Sequence, residues 1–263
     1  MRCIQGRAPF WKSDERAHSI KVDLLVCCAV LLIPQVVRFG ARPLLLVLAT
    51  GAIGALTEIG CCLILHREIR LGDWDSVTIG VLIAMLMPAN IALAVPAVAT
   101  VFAIAIAKMP FGGTGNTPMH PVAAGVAFVT LCFPDAVFAY ADVLSGKMDL
   151  NIFRTAAVIG AQSPTALLKT GARPELLKPE LMVGSIVGAI GTTVTFLTAA
   201  AAFYLFCRKS ASARISVCWM LAAAVMAGLF PRVSTGRLDS VMIELSTGSL
   251  VFFAAMIAPD PTT

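Results

Sequence analysis

Eight apolar segments follow one another along the chain, separated by short polar stretches and by one long polar stretch. Several approach the roughly 20 residues that an α-helix needs to cross a bilayer, and all are too long for barrel strands. The pattern therefore predicts an all-α polytopic integral membrane protein with about eight transmembrane helices, at residues 20–38, 43–65, 76–90, 92–108, 119–137, 182–206, 214–230 and 243–258.

Composition agrees with this pattern. Only 13% of the 263 residues are charged and 58% are hydrophobic, whereas a soluble domain carries about a quarter charged residues. The net charge of +5 comes from lysines and arginines in the loops, and no basic run with interleaved aromatics indicates a nucleic-acid surface. The eight cysteines lack CxxC spacing, so we interpret them as small buried hydrophobes rather than metal ligands.

The start of the chain and its basic residues predict an orientation. Residues 1–19 form a polar arm that differs from a cleavable signal peptide. With the N-terminus in the cytoplasm, eleven lysines and arginines fall in cytoplasmic segments and four in the short loops opposite. The long loop 138–181 adds five on the outer side. We therefore expect a cytoplasmic N-terminus and an extracytoplasmic loop 138–181.

Two segments resemble each other and predict related halves. The stretch DSVTIGVLIAMLMPAN at 75–90 is echoed by DSVMIELSTGSLVFFAAMIAPD at 239–260. Both begin with Asp-Ser-Val-x-Ile, continue through an apolar segment and end at a proline. Duplicated halves around a central site are frequent in membrane proteins. We predict a first helical repeat at 20–137 with five spans and a second, incomplete repeat at 182–263.

A glycine-rich segment interrupts the first repeat at 111–118. Gly112, Gly113 and Gly115 precede Asn116 in FGGTGNTPMHPVAAGVAF, residues 111–128. Glycine permits positive φ and close approach of the backbone to another surface. Irregular backbone at membrane depth is tolerated only inside protein or along a cavity. The segment predicts a re-entrant or tightly turned loop, which a secondary transporter or permease could use as a substrate site.

This segment resembles the FGGxGxNxFNPA signature of RnfD, the D subunit of the Rnf electron-transport complex. That family is related to the B subunit of the Na⁺-translocating NADH:quinone reductase. Four further segments resemble the family in the same order. They are DWDSVTIGVLIAMLMP at 73–88, TALLK at 165–169, GSIVGAIGTTVTFLTAAAAFYL at 184–205 and MIAPDPTT at 256–263.

The resemblance implies a subunit of an ion-translocating oxidoreductase, for Na⁺ or H⁺, which relays electrons through a flavin and is not catalytic alone. It implies partner subunits, lipid contact, and a multi-pass place in the bacterial inner membrane. It further implies FMN joined by a phosphoester bond to a threonine after the fifth span, a second flavin such as riboflavin, and the glycine segment, Gly112, Gly113, Gly115 and Asn116, as a cofactor contact.

The chain departs from the family in the loop that carries FMN. The family pattern is approximately DAVTSATPLALLK, whereas this chain has AAVIGAQSPTALLK at 156–169. Alignment on the proline selects Ser163, and alignment on the hydroxyl type selects Thr165. A flavin-free scaffold protein of the same complex therefore stays open as an alternative. The family glutamate of IGETS is Thr192 here, and His120 replaces an asparagine of the glycine signature.

Few ionisable residues fall within or beside the predicted spans. Glu58 is the most interior, and we expect it to serve ion passage or quinone contact or to pair with a cation of another subunit. We expect Asp23 and Lys108 to lie at solvated interfaces, the lysine snorkelling to water. Glu244 begins the eighth span. His120 could titrate near neutral pH, but a hydrogen-bonded structural role is the preferred interpretation.

Overall fold

The fold is described from a computed structural model, which describes residues 17–66, 74–140, 188–230, 241–242, 245 and 249–260. Every regular element in this part of the chain is helical, which confirms the predicted all-α class. The helices are α1 (Ala17–Phe39), α2 (Arg42–Ile64), α3 (Asp75–Met85), α4 (Ala94–Phe102), α5 (Pro121–Cys132), α6 (Pro134–Val137), α7 (Thr195–Cys207), α8 (Ala213–Leu229) and α9 (Leu250–Phe252).

Three described helical stretches are long and apolar enough to cross a membrane: His18–Phe39, Arg42–Ile64 and Ala94–Phe111. The last comprises α4, a π-helical segment at Ala103–Lys108 and a 3₁₀ turn at Met109–Phe111. The other apolar helices, α3, α5, α7 and α8, have 10–17 residues. The predicted number of eight spans and the division into two halves remain predictions.

Helix α1 shows why the helices are apolar on all sides. Its buried stripe of Leu24, Cys28, Leu31 and Gln35 recurs every three or four residues and faces the other helices. The opposite face is also apolar and is exposed; it consists of Val22, Val26, Val30, Ile33 and Val37. An apolar outer face suits contact with lipid acyl chains.

Helices α2 and α3 pack closely because glycines replace larger side chains where they cross. A Cβ atom on Gly54 would collide with the carbonyl oxygen of Ser76, and one on Gly80 with that of Thr50. Small residues let helix backbones approach in membranes, where packing rather than hydrophobic burial drives association. This crossing fixes the N-terminal end of α3, which carries Asp75 and Ser76, against the C-terminal half of α2.

The break after α3 lies inside the protein. The predicted span 76–90 ends as a helix at Met85, and an irregular segment leads through buried Met87 and Asn90 to α4. A second irregular segment at 188–194 lies beside it, and within the described part of the predicted span 182–206 the helix begins at Thr195. The amide groups of Ile190 and Gly191 donate to the carbonyl oxygens of Met87 and Met85. The amide groups of the segment 188–194 and the carbonyl groups at the end of α3 thus pair with each other where neither has a helical partner.

Candidate functional site

A network of ionisable side chains occupies the end of the bundle at which α1 and α3 begin. Lys21 on α1 places Nζ 2.9 Å from Oδ1 of Asp75 and 2.6 Å from Oδ2 of Asp260, which follows the π-helical segment Phe253–Ile257. On the other side of Asp75, Lys108 places Nζ 2.9 Å from Oδ2. Asp75 and Lys21 together therefore link four elements: α1, α3, the π-helical segment that ends at Lys108, and the segment that ends at Asp260.

Lys108 extends the network to α2. Its Nζ atom donates to Oε1 of Glu58 at 3.2 Å and to the hydroxyl of Ser76 at 2.8 Å. The lysine is 1% exposed. An ammonium group with so little access to water requires paired charges and accepting oxygens, and Lys108 has two carboxylates and a hydroxyl.

The glycine-rich loop 111–118 is joined to this network through Thr114, whose hydroxyl donates to Oδ2 of Asp75 at 2.9 Å. Gly112, Gly113 and Gly115 have φ angles of +111°, +97° and +92°. Residues other than glycine rarely adopt these φ angles. The tight turn predicted from the glycines is therefore present, and it holds Thr114 over the start of α3.

His120 follows the loop and is the N-cap of α5. Its Nδ1 atom accepts a hydrogen bond from the amide of Val122 at 3.2 Å. Its Nε2 atom lies 3.5 Å from Oδ2 of Asp260 and has no hydrogen-bond partner in the described part of the chain. The histidine thus has the structural role preferred from the sequence, and it also faces the ion-pair network.

These groups line a small pocket between α1, α3 and the glycine loop. Its polar lining comprises Lys21, Asp75, Lys108, Thr114, Thr117, His120 and Asp260. The pocket has room for a water-sized molecule only, so an isoalloxazine ring does not fit in it. The exposed side of the loop differs, because nothing lies within 4 Å of a Cβ atom built on Gly113 or Gly115. That backbone surface is open to a planar group or to another protein.

A second polar cluster lies at the opposite end of α1. Gln35 is buried, and its Nε2 atom donates to the hydroxyl of Thr193 in the irregular segment 188–194. Arg42 at the start of α2 donates to the carbonyl oxygens of Asn90 and Ile91 at 2.8 and 3.3 Å. These side chains tie both helix breaks to the α1–α2 connection.

The predicted site residues divide between described and undescribed segments. Gly112, Gly113, Gly115 and Asn116 lie in the loop beside the network. Ser163 and Thr165, the candidate flavin attachment residues, fall outside the described residues, as do Glu244 and most of the loop 138–181. Thr192 is described and buried, and its hydroxyl donates to the carbonyl oxygen of Ala189.

Several predictions about ionisable residues and cysteines were wrong. Lys108 does not snorkel to water, because the π-helical segment directs it into the bundle. Asp23 is buried as well, and its carboxylate accepts hydrogen bonds from Nε and Nη2 of Arg208 and from the hydroxyl of Ser210. Glu58 pairs with Lys108 of the same chain rather than with a cation of another subunit, and its predicted role in ion passage or quinone contact stays a prediction. Among the cysteines, Cys27, Cys28 and Cys62 are buried as predicted, whereas three others are exposed: Cys132, Cys207 and Cys218.

Sequence reasoning missed three members of the network: Lys21, Asp75 and Asp260. Asp75 opens the first copy of the internal similarity and Asp260 closes the second. Lys21 bridges them, so the beginning of one copy and the end of the other meet at one place. Their places at the ends of long apolar segments were a signal for these positions, because acidic residues beside or within a membrane span are default candidates for function.

Comparison with known proteins agrees with the resemblance drawn from the glycine motif. The model of the NQR2, RnfD, RnfE family matches residues 4–263. A relative from Acetobacterium woodii, the D subunit of the Na⁺-translocating ferredoxin:NAD⁺ oxidoreductase complex, is 27% identical over 97% of this chain and 77% of its own length. A relative from Clostridium ljungdahlii, the D subunit of the proton-translocating ferredoxin:NAD⁺ oxidoreductase complex, is 24% identical over 97% of this chain and 78% of its own length.

A third relative, the D subunit of the ion-translocating oxidoreductase complex of Halorhodospira halophila, is 24% identical over 86% of this chain and 70% of its own length. The similarity covers the apolar helices, the glycine-rich loop and the final Asp260 segment together. The chain therefore belongs to the NQR2, RnfD, RnfE family of membrane proteins.

Proposed function

We propose that the chain is the RnfD equivalent of an ion-translocating oxidoreductase complex of the Rnf type. One observation carries the proposal: the family match extends over residues 4–263, and relatives with this role in their names cover up to 97% of the chain. The protein relays electrons within the complex and transforms no substrate alone. The coupling ion is Na⁺ or H⁺.

The partners are the other subunits of the complex and the surrounding lipid, and the location is a bacterial inner membrane. The N-terminus is cytoplasmic by the distribution of lysine and arginine. One contact supports the grouping used for that assignment. Arg208 and Lys21 are two of the eleven basic residues assigned to the cytoplasmic side, and Arg208 pairs at 3.0 Å with Asp23, which lies two residues after Lys21 in α1.

A flavin is the proposed electron carrier of the protein. FMN is held by a phosphoester bond to the side-chain oxygen of Thr165 or Ser163, and a second flavin such as riboflavin is associated with the helix bundle. When bound, the isoalloxazine ring supplies one- and two-electron chemistry. The open backbone at Gly113 and Gly115 supports contact with a planar group on the outer side of the loop, and Thr114 holds that loop in place.

A flavin-free scaffold role in the same complex is the second candidate function. The altered sequence AAVIGAQSPTALLK supports it, because a flavin transferase recognises residues around its target hydroxyl. The permease alternative, with a substrate site at the glycine loop, has less support, because the family match over residues 4–263 joins the chain to relatives named as oxidoreductase subunits.

In-gel flavin fluorescence distinguishes these functions. The full chain is co-expressed with its flavin transferase, separated on a denaturing gel and compared with Thr165→Val and Ser163→Ala. Thr170→Val is the matched control, since it removes a hydroxyl from the same loop outside the aligned motif. We expect a fluorescent band that one of the first two substitutions abolishes and the control retains.

Absence of a band from the native chain would exclude covalent FMN and favour the scaffold function. Membership of the complex is tested separately, by affinity purification of the native chain from membranes. Co-purification of the other oxidoreductase subunits is expected, and isolation of the chain alone would contradict the proposed function.

A further inference from the structure

We propose that His120 is a proton-binding site coupled to the ion-pair network, with the N-terminal turn of α5 as the element that responds. The proposal rests on the geometry of one imidazole with two different neighbours. Nδ1 accepts from the amide of Val122, and Nε2 faces Oδ2 of Asp260. It is independent of flavin attachment and of the ion that the complex moves.

The cap fixes the tautomer of the neutral imidazole. A nitrogen that accepts an N–H hydrogen bond must present its lone pair, so the ring proton resides on Nε2. Pro121 at the first helical position has no N–H group, and Val122 therefore supplies the first amide of α5 that requires an acceptor. In this state the Nε2–H group faces the carboxylate of Asp260.

One carboxylate faces the imidazole directly. Among the described residues, the charged groups around the pocket are the ammonium groups of Lys21 and Lys108 and the carboxylates of Glu58, Asp75 and Asp260. Oδ2 of Asp260 lies 3.5 Å from Nε2, so a proton on His120 would form an ion pair with Asp260.

The same proton breaks the cap. A second ring proton can bind only Nδ1, because Nε2 already carries one, and Nδ1–H then faces the N–H group of Val122. The imidazolium must leave the cap position, while its Nε2–H group still faces Asp260. Charge uptake by the network is thereby coupled to opening of the first turn of α5 and of the adjoining glycine loop.

Two substitutions of His120 distinguish its role as the N-cap of α5 from its role as a proton-binding site. Asparagine is among the strongest N-cap residues and does not titrate, so His120→Asn retains the cap and loses the proton site. Alanine removes both functions. The measurement is hydrogen–deuterium exchange of the α5 amides in the full chain, purified with its associated subunits, at pH 7.5 and 5.5. Rates are corrected for the intrinsic pH dependence of exchange.

In the native chain we expect the protection of the amides at 122–124 to fall roughly fivefold at pH 5.5, the factor that a lost N-cap represents. In His120→Asn it stays constant, and in His120→Ala it is low at both pH values. The amides at the start of α8 serve as the internal control and remain unchanged. An equal fall in His120→Asn, or no fall in the native chain, would overturn the proposal.

Discussion

The Nζ atom of Lys108 lies 2.9 Å from the Oδ2 atom of Asp75, and both side chains are buried. The pair joins the end of the π-helical segment after α4 to the first residue of α3. A buried ion pair is destabilised more by removal of one partner than by removal of both, because the remaining charge loses compensation. Here Lys21 still pairs with Asp75, and Glu58 still pairs with Lys108, so each remaining charge keeps one partner. The stability of this end of the bundle therefore depends on the pair as a unit.

Lys108→Met and Asp75→Asn are each expected to lower the free energy of unfolding by up to about 3 kcal/mol, the lower end for a broken buried pair, because one partner remains for each charge. The double variant is expected to lose clearly less than the sum of the two. Unfolding of the purified protein in detergent, followed for all variants as a double-mutant cycle, measures the coupling. Arg214→Met, at an exposed position of α8, is the control and should have little effect. Additive losses would contradict a coupled pair.

The α2–α3 crossing predicts opposite results for two glycines of the same helix. Gly54→Ala places a methyl group against the carbonyl of Ser76 and should destabilise the protein by about 1–3 kcal/mol. Gly60→Ala meets nothing within 4 Å and should stabilise it by up to about 1 kcal/mol through helix propensity. Thermal unfolding in detergent checks both, and equal shifts for the two would show that the crossing is not tight.

Backbone strain governs the response of the glycine loop. Gly113 has open space around a built Cβ atom, yet its φ of +97° is unfavourable for alanine. Gly113→Ala should therefore cost about 1–3 kcal/mol and raise the rate of proteolysis within the loop. Thr114→Val is the companion variant, because it removes the hydrogen bond to Asp75 without backbone strain. An unaffected Gly113→Ala would indicate that the loop relaxes freely.

The orientation of the chain is testable through Cys207 at the end of α7. It is exposed and precedes Arg208, whose contact with Asp23 places it at the same end of the bundle as the start of α1. A membrane-impermeant maleimide should label Cys207 in inverted vesicles and not in intact spheroplasts, as mass spectrometry of the peptide would detect. Buried Cys28 is the control and should react only after denaturation. Labelling in spheroplasts would reverse the assigned orientation.

The sequence by itself determined the helical membrane class and the family. Hydropathy is a property of consecutive residues, so the apolar segments predicted helices α1 and α2 to within about two residues at most ends. The glycines at 112, 113 and 115 predicted a tight turn, because positive φ is a local requirement. The ordered motifs from residue 73 to 263 predicted the family that the comparisons confirm.

Only the tertiary structure decided which charges are buried and how they pair. Lys21 and Asp260 are 239 residues apart in sequence, and no local pattern indicates that they meet. Lys108 stands at the end of an apolar segment, where its position along the chain is equally compatible with snorkelling to water and with pairing inside the bundle. The close crossing of α2 and α3 and the π-helical turn before Lys108 direct it inward, because helix packing sets the surroundings of each side chain.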